Sequence, residues 1–422
     1  MPTAARLLVI GLVAVLAVAA TFVAATSLID DGAASDPTAG PSVAASAAPS
    51  VEPSAARSLD PQGAFAEIEE QVLALRGLPA PEIGPAEIID RQQLREELDE
   101  LLANEWTADE LARSNLTLRA MGLLGEEQDL RELTRTLLGD QVIGFYDPLE
   151  ERMVVVSDEG LSVLARITYA HEYTHALQDA AFNSFDVRDE LTDDDAILAR
   201  QALEEGDASV VMFQWALQNL TPEELQEVGT TPVPDSGEVP GWMLRQLEFP
   251  YLAGLAFVSQ LRATGDWAPV NDAYTDAPTS TEQIIHPEKY LAGEQPVEVD
   301  APQTAPAFGA GWEDLEPTTM GEAMIDIWLA ELGAGTDEAR TAAAGWGGDR
   351  LTVASGSDDE WAMAWLIAWD SAADAGEFAA AYEPLEAGGE VASGLLRPSP
   401  TETLVLHASS AEGLAALVTL FE

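Results

Sequence analysis

The chain reads as an α+β protein, mainly helical, with a short β-hairpin beside one central helix and a small α+β unit at the C-terminal end. Three observations predict this. Apolar residues recur at helical spacing in pieces from Pro61 to Leu138, and again over Leu161 to Phe182 and Asp194 to Leu217. Two short apolar runs, Val142 to Tyr146 and Met153 to Val156, flank the turn signal DPLEER. Beyond Pro317, strand-like and helix-like segments alternate.

Composition narrows the function classes. With 422 residues and 47% apolar content, the chain can build a sizeable core, read as one large domain (61–300) and a smaller one (301–422). It has no cysteine, which excludes disulfides, thiolate metal sites and a cysteine nucleophile. The net charge is −55, and Lys289 is the only lysine. No basic cluster is visible, so nucleic acid is not an expected partner. The acidic excess reads first as a highly solvated surface.

In chain order, Arg6 precedes an apolar run at residues 7–29 that is uncharged until Asp30. About 20 apolar residues suffice to span a bilayer. Residues 1–29 are therefore expected to be a membrane anchor or a cleaved signal peptide, with Val23-Ala24-Ala25 offering small residues for cleavage. In both cases the remainder is expected outside the cell or on its surface, tethered to the membrane if the segment is kept. Residues 30–60, rich in Ala, Ser and Pro, read as a flexible linker. Helical pieces follow at Phe65 to Arg76, Asp90 to Ala103, Thr107 to Met121 and Glu126 to Leu138. The hairpin comes next, and its second strand, Met153 to Val156, reads either as the edge for an extended peptide or as part of a purely structural hairpin.

The helix after the hairpin contains His171-Glu172-Tyr173-Thr174-His175. Residues four apart stack on one helix face, so His171 and His175 can point two imidazoles at one metal ion. Glu172 lies about 100° round the helix, placed to reach a metal-bound water as a general base rather than to ligate. Two of the four histidines in the chain stand at this spacing. Zinc with a hydrolytic role suits the pattern, and it needs a third protein ligand. His286 and His407 are candidates. Better ones are the acids of ALEEGDA on the next helix, where Glu204, Glu205 and Asp207 stand among apolar neighbours. Gly206 weakens a helix by roughly 1 kcal/mol against Ala, which makes sense if another backbone or a ligand comes close there.

Residues 219–240 read as an acidic, Pro-rich loop, and a helix is expected after Pro250. Its Tyr251 is a candidate donor to a developing oxyanion. So is His286, in the short capped helix of PTSTEQIIHPEKY, as an oxyanion donor or proton shuttle. After residue 317, MGEAMIDIWLAEL and DEARTAAAGW read as helices, then RLTVASG and EWAMAWLIAWD as strands. SAADAGEFAAAYEPLE is a helix, VASGLLRPSP and TETLVLHAS are strands, and AEGLAALVTLF is a last helix. Trp346-Gly347-Gly348 marks the turn into the first of these strands, and His407 reads as packed in the last.

HEYTHALQD followed by EEGDA resembles the gluzincin metallopeptidases, the thermolysin-like group with H-E-x-x-H and a downstream Glu. More closely, the order GFYDP, HEYTHALQD, EGDA, PTSTEQ is similar to a set of poorly characterised bacterial exported proteins, over roughly residues 62–300. The resemblance implies a zincin-like catalytic domain in which His171, His175 and Glu205 bind Zn2+ and Glu172 is the general base. Four residues after Glu205 the thermolysin-like pattern has an Asp that supports a ligating His, and this chain has Ser209. Asp179 or Asp207 would then supply that support. The expectation is an exported zinc metallopeptidase acting on peptides or proteins. The alternative is a catalytically weak or inactive zincin-fold module for extracellular binding or sensing; hydrolysis of a non-peptide ester or amide is a third reading.

Overall fold

The computed structural model describes residues 12–14, 60–139, 142–157, 161–230, 239–357, 359–386 and 391–422. The expected anchor or signal (1–29) lies outside the described residues apart from Leu12–Ala14, and so does the linker apart from Asp60. Among the described residues no helix is long and apolar enough to cross a membrane. The protein is α+β, as expected.

Two sheets organise it. The first has four strands in the order β1-β3-β4-β2: Leu12–Ala14 (β1), Val142–Asp147 (β3), Arg152–Val156 (β4) and Glu87–Ile89 (β2). β3 and β4 form the antiparallel hairpin, with Phe145 opposite Val154 and Tyr146 opposite Met153. β2 pairs parallel with β4. This overturns one expectation: Met153 to Val156 is an interior strand, hydrogen-bonded on both sides, so it offers no free edge to a peptide. The runs Val142 to Tyr146 and Met153 to Val156 are continuously buried, and a strand covered on both faces reads the same whether interior or edge.

The helices of the first part are Pro61–Arg76 (α1), Arg91–Glu105 (α2), Ala108–Ala120 (α3) and Leu130–Gly139 (α4). Asp90 and Thr107 each close a capping box at the start of α2 and α3, satisfying donors the first turn leaves unpaired. The HEYTH helix is Val163–Phe182 (α5), capped by Ser162, whose hydroxyl accepts from Ala165 N at 3.0 Å. It ends at Asn183, left-handed at φ 53°, a conformation Asn tolerates. The short Ser184–Asp189 (α6) leads into Asp194–Asn219 (α7), the helix of ALEEGDA.

Two local expectations fail. The loop at 219–240 contains a helix, Pro222–Thr230 (α8). The helix expected after Pro250 runs from Gly241 to Gly265 (α9), straight through that proline. Pro250 removes one backbone donor, but Trp242, Met243 and Leu247 ahead of it are buried, and their packing holds the segment helical. Gly206 on α7 meets Gly254 on α9. A Cβ on Gly206 would stand 2.2 Å from the Gly254 carbonyl, and one on Gly254 would stand 2.0 Å from Ala202 O. The two backbones touch there, which only glycine permits.

Trp267–Thr275 (α10), Thr281–Ile285 (α11) and Pro287–Ala292 (α12) follow. The C-terminal part has Gly321–Leu332 (α13), Thr336–Ala343 (α14), Ala372–Glu386 (α15) and Ala411–Phe421 (α16) around an antiparallel sheet, β5-β6-β7-β9-β8. Its strands are Glu313–Asp314 (β5), Trp346–Ser355 (β6), Trp361–Trp369 (β7), Ala392–Ser399 (β8) and Glu402–Ala408 (β9). Trp346-Gly347-Gly348 lies inside β6 at a bulge rather than in a turn, because the chain at Val297 packs against Gly348, where a Cβ would meet Val297 O at 2.2 Å. One apolar core runs from Phe65 to Val405 across the boundary expected at residue 300. The seam is also hydrogen-bonded, with Trp328 Nε1 on Met121 O at 2.8 Å and Asp193 Oδ2 accepting from Thr319 at 2.7 Å.

Candidate metal centre

α5 and α7 pack side by side, and the three acids of ALEEGDA part company there because each faces a different neighbour. Glu204 turns to α6 and its own helix, accepting from Arg188 Nη1 at 2.8 Å, Arg200 Nε at 2.8 Å and the Ser184 hydroxyl. Asp207 turns to α1 and takes both arms of Arg76, at 2.8 and 3.0 Å, together with the Tyr274 hydroxyl at 2.9 Å. Glu205 faces α5. Its Oε2 lies 3.0 Å from His171 Nε2 and 3.3 Å from His175 Nε2, and the two Nε2 atoms are 3.0 Å apart.

That triangle fits a cation. With both imidazoles neutral, two Nε2 atoms and a carboxylate oxygen converge there, and an added proton or a metal ion relieves the crowding of their lone pairs. Zinc bonds of 2.0–2.1 Å in a tetrahedral site put ligand atoms roughly 3.3 Å apart, close to the spacing here. The donors, two imidazoles and a carboxylate, are a set zinc accepts. His171, Glu172, His175, Glu205 and Tyr251 are each no more than 3% exposed, apart from water that would otherwise screen the charge.

Electrostatics agree. Burial lowers the pKa of His171 against the pull of Glu205. Burial also works against a charged His175, but the Glu205 carboxylate outweighs it and holds that imidazole up at about 9. Burial opposes ionised Glu205, yet the two imidazoles keep its carboxyl well below the usual carboxylate range. In the metal-free pocket a proton on His175 thus balances the Glu205 carboxylate, and a metal ion would take that proton's place.

Around the triangle, Glu172 Oε2 accepts from Tyr146 N of β3 at 2.9 Å, which ties this carboxylate to the hairpin. Tyr251 of α9 stacks on His171 with ring centroids 5.8 Å apart, and burial, with the Glu205 and Glu172 carboxylates nearby, pushes its hydroxyl pKa well up. The Gly206–Gly254 contact draws α9 against α7 and so places Tyr251, the expected oxyanion donor, beside the triangle. His286 is not brought into this group. It caps α11, with Nε2 on Glu322 at 3.0 Å, and that carboxylate raises its pKa. Neither Asp179 nor Asp207 supports a ligating histidine, since Asp179 accepts from the Tyr146 hydroxyl at 3.0 Å and Asp207 is taken by Arg76.

The residue in that role is Gln178, which the sequence reading passed over. Its Oε1 is 2.9 Å from His175 Nδ1. The signal was available: Gln178 lies three residues after His175, a spacing that puts side chains together on a helix. At His171 the Nδ1 atom, and nearby in the sequence pattern Ser209 Oγ, are buried without a hydrogen-bond partner among the described residues.

A family profile described as "Domain of unknown function (DUF8575)" matches residues 309–412, within the C-terminal part and away from this centre. No curated protein and no solved structure matches the chain.

Proposed function

We propose that the chain is a zinc-dependent metallopeptidase with a zincin-like catalytic domain, exported and held at or released from the membrane by its N-terminal segment. The observation that carries this reading is the convergence of His171 Nε2, His175 Nε2 and Glu205 Oε2, with Glu172 beside them on the same helix. His171, His175 and Glu205 would hold the ion. Zinc there would supply Lewis acidity, polarising a carbonyl and bringing the pKa of a bound water towards about 7.

The chain supplies the rest. Glu172 accepts a proton from the attacking water at its carboxylate and returns it to the leaving amine nitrogen. Tyr146 N fixes the carboxylate through Oε2, so the proton acceptor is held before substrate arrives. Tyr251, stacked on His171, stands ready to donate to the developing oxyanion. The peptide-bond assignment rests on the gluzincin resemblance, because three ligands and a base do not choose the bond by themselves.

The test uses zinc-loaded parent and Glu172→Gln proteins with a diverse peptide pool, products being read by mass spectrometry. The parent is expected to cleave and the variant to bind zinc without cleaving. Zinc-bound parent with no turnover on any peptide would sink the peptidase reading.

A further inference from the structure

We infer that Gln178 is a positioning residue for the metal centre: it selects the Nδ1–H tautomer of His175 and so aims the Nε2 lone pair at the ion. This rests on the metal-binding reading above, and it follows from tracing donors and acceptors outward.

Gln178 Nε2 donates to Glu204 O at 3.0 Å. A carbonyl oxygen only accepts, so the amide end facing it is NH2; the flipped amide would set two acceptors against each other. The other end, 2.9 Å from His175 Nδ1, is therefore Oε1, which also only accepts. Nδ1 must carry the proton. In a neutral imidazole the lone pair is then on Nε2, the atom that faces His171 and Glu205.

The chain of constraint does not stop at the glutamine. Glu204 O is on α7, and the Glu204 side chain is clamped by Arg188, Arg200 and Ser184. Gln178 thus joins the helix bearing both histidines to the helix bearing Glu205. It is wholly buried, beside two buried carboxylates. A neutral amide performs the task without adding a third negative charge, which a carboxylate at this position would do at a desolvation cost. His171, by contrast, has no such partner among the described residues. The tautomer control is on His175 alone.

The experiment compares full-length parent, Gln178→Leu and Gln178→Glu. Zinc affinity is measured by chelator competition. The His175 tautomer is read by long-range nitrogen–proton NMR on histidine-labelled, metal-free protein at alkaline pH, where the rings are neutral. With four histidines in the chain, the spectrum is sparse. The parent should show His175 with the proton on Nδ1. Gln178→Leu should lose that preference and bind zinc roughly 10–100-fold more weakly, the usual effect of removing such a partner. Gln178→Glu keeps an acceptor for Nδ1 and should lose less affinity than the leucine variant.

The inference is overturned if the parent ring carries its proton on Nε2, or if Gln178→Leu binds zinc like the parent. It is also overturned if His175 in Gln178→Leu keeps its proton on Nδ1 as in the parent, since the amide would then not be setting the tautomer. A parent that binds no zinc sinks the metal reading instead. The tautomer measurement separates that failure from the failure of Gln178 as a selector.

Discussion

Two buried histidine environments in this chain are wired in opposite ways. At the C-terminal seam His407 on β9 donates from Nδ1 to Ala120 O at 2.6 Å and accepts at Nε2 from the Tyr382 hydroxyl at 2.8 Å. Every polar atom of that ring has a neutral partner, and burial pushes its pKa down to about 4. On α5 the Nε2 atoms of His171 and His175 face each other and a carboxylate. The first ring is complete as it stands. The second pair has a carboxylate to balance, by a proton on His175 or by a metal ion in its place. Burial alone therefore separates nothing; what distinguishes a packed histidine from a ligand is whether its lone pairs are already used.

Removing ligands tests that contrast most strongly. His171→Ala, His175→Ala and Glu205→Ala should each weaken zinc binding by more than the roughly 10–100-fold that loss of an outer partner costs. Each should also abolish any rise of Tm with added zinc. His407→Gln should bind zinc as the parent does. Loss of zinc from the His407 variant in chelator competition would break the comparison.

A pH titration sharpens it from the other side. An unfolded histidine takes up a proton near pH 6.5, whereas folded His407 resists until about 4. Between those values the unfolded state binds more protons, so stability falls as pH falls through the window. The full difference is worth about 3 kcal/mol and is absent above pH 6.5. Urea unfolding of metal-free parent and His407→Gln across this window should show the slope in the parent and a shallower one in the variant. Parallel curves would mean that His407 does not titrate as its surroundings require.

The smallest effect expected is at the helix crossing that sets the candidate metal centre. Gly206→Ala puts a methyl 2.2 Å from the Gly254 carbonyl. Overpacking of this kind costs typically 1–3 kcal/mol, and forcing α7 from α9 should also displace Glu205 from Tyr251. Urea midpoints and zinc affinity should fall together. A drop in stability with zinc affinity unchanged would separate the crossing from the site.

Much of this was legible before any coordinates. The spacing of His171 and His175 needed only helical periodicity, and Gly206 announced a close backbone approach that Gly254 supplies. The hairpin, α5, α7 and the alternation of the C-terminal part follow from local apolar pattern and capping. Where local rules misled, a distant contact had outweighed them. Buried Trp242 and Leu247 carry α9 through Pro250, and Val297 presses on Gly348 within β6. The interior position of β4 came from its pairing with β2, some 65 residues earlier, where Glu87 stands opposite Val154.

What the chain's sequence determined by itself was that two imidazoles and a carboxylate share one buried helix, because residues one and four apart are related by helix geometry alone. What only the tertiary structure decided was which acid of Glu204, Glu205 and Asp207 completes the group. Those three differ little in local context. They were sorted by Arg188 and Arg200, by the two imidazoles and by Arg76, each a charge compensation that exists only once the helices have packed.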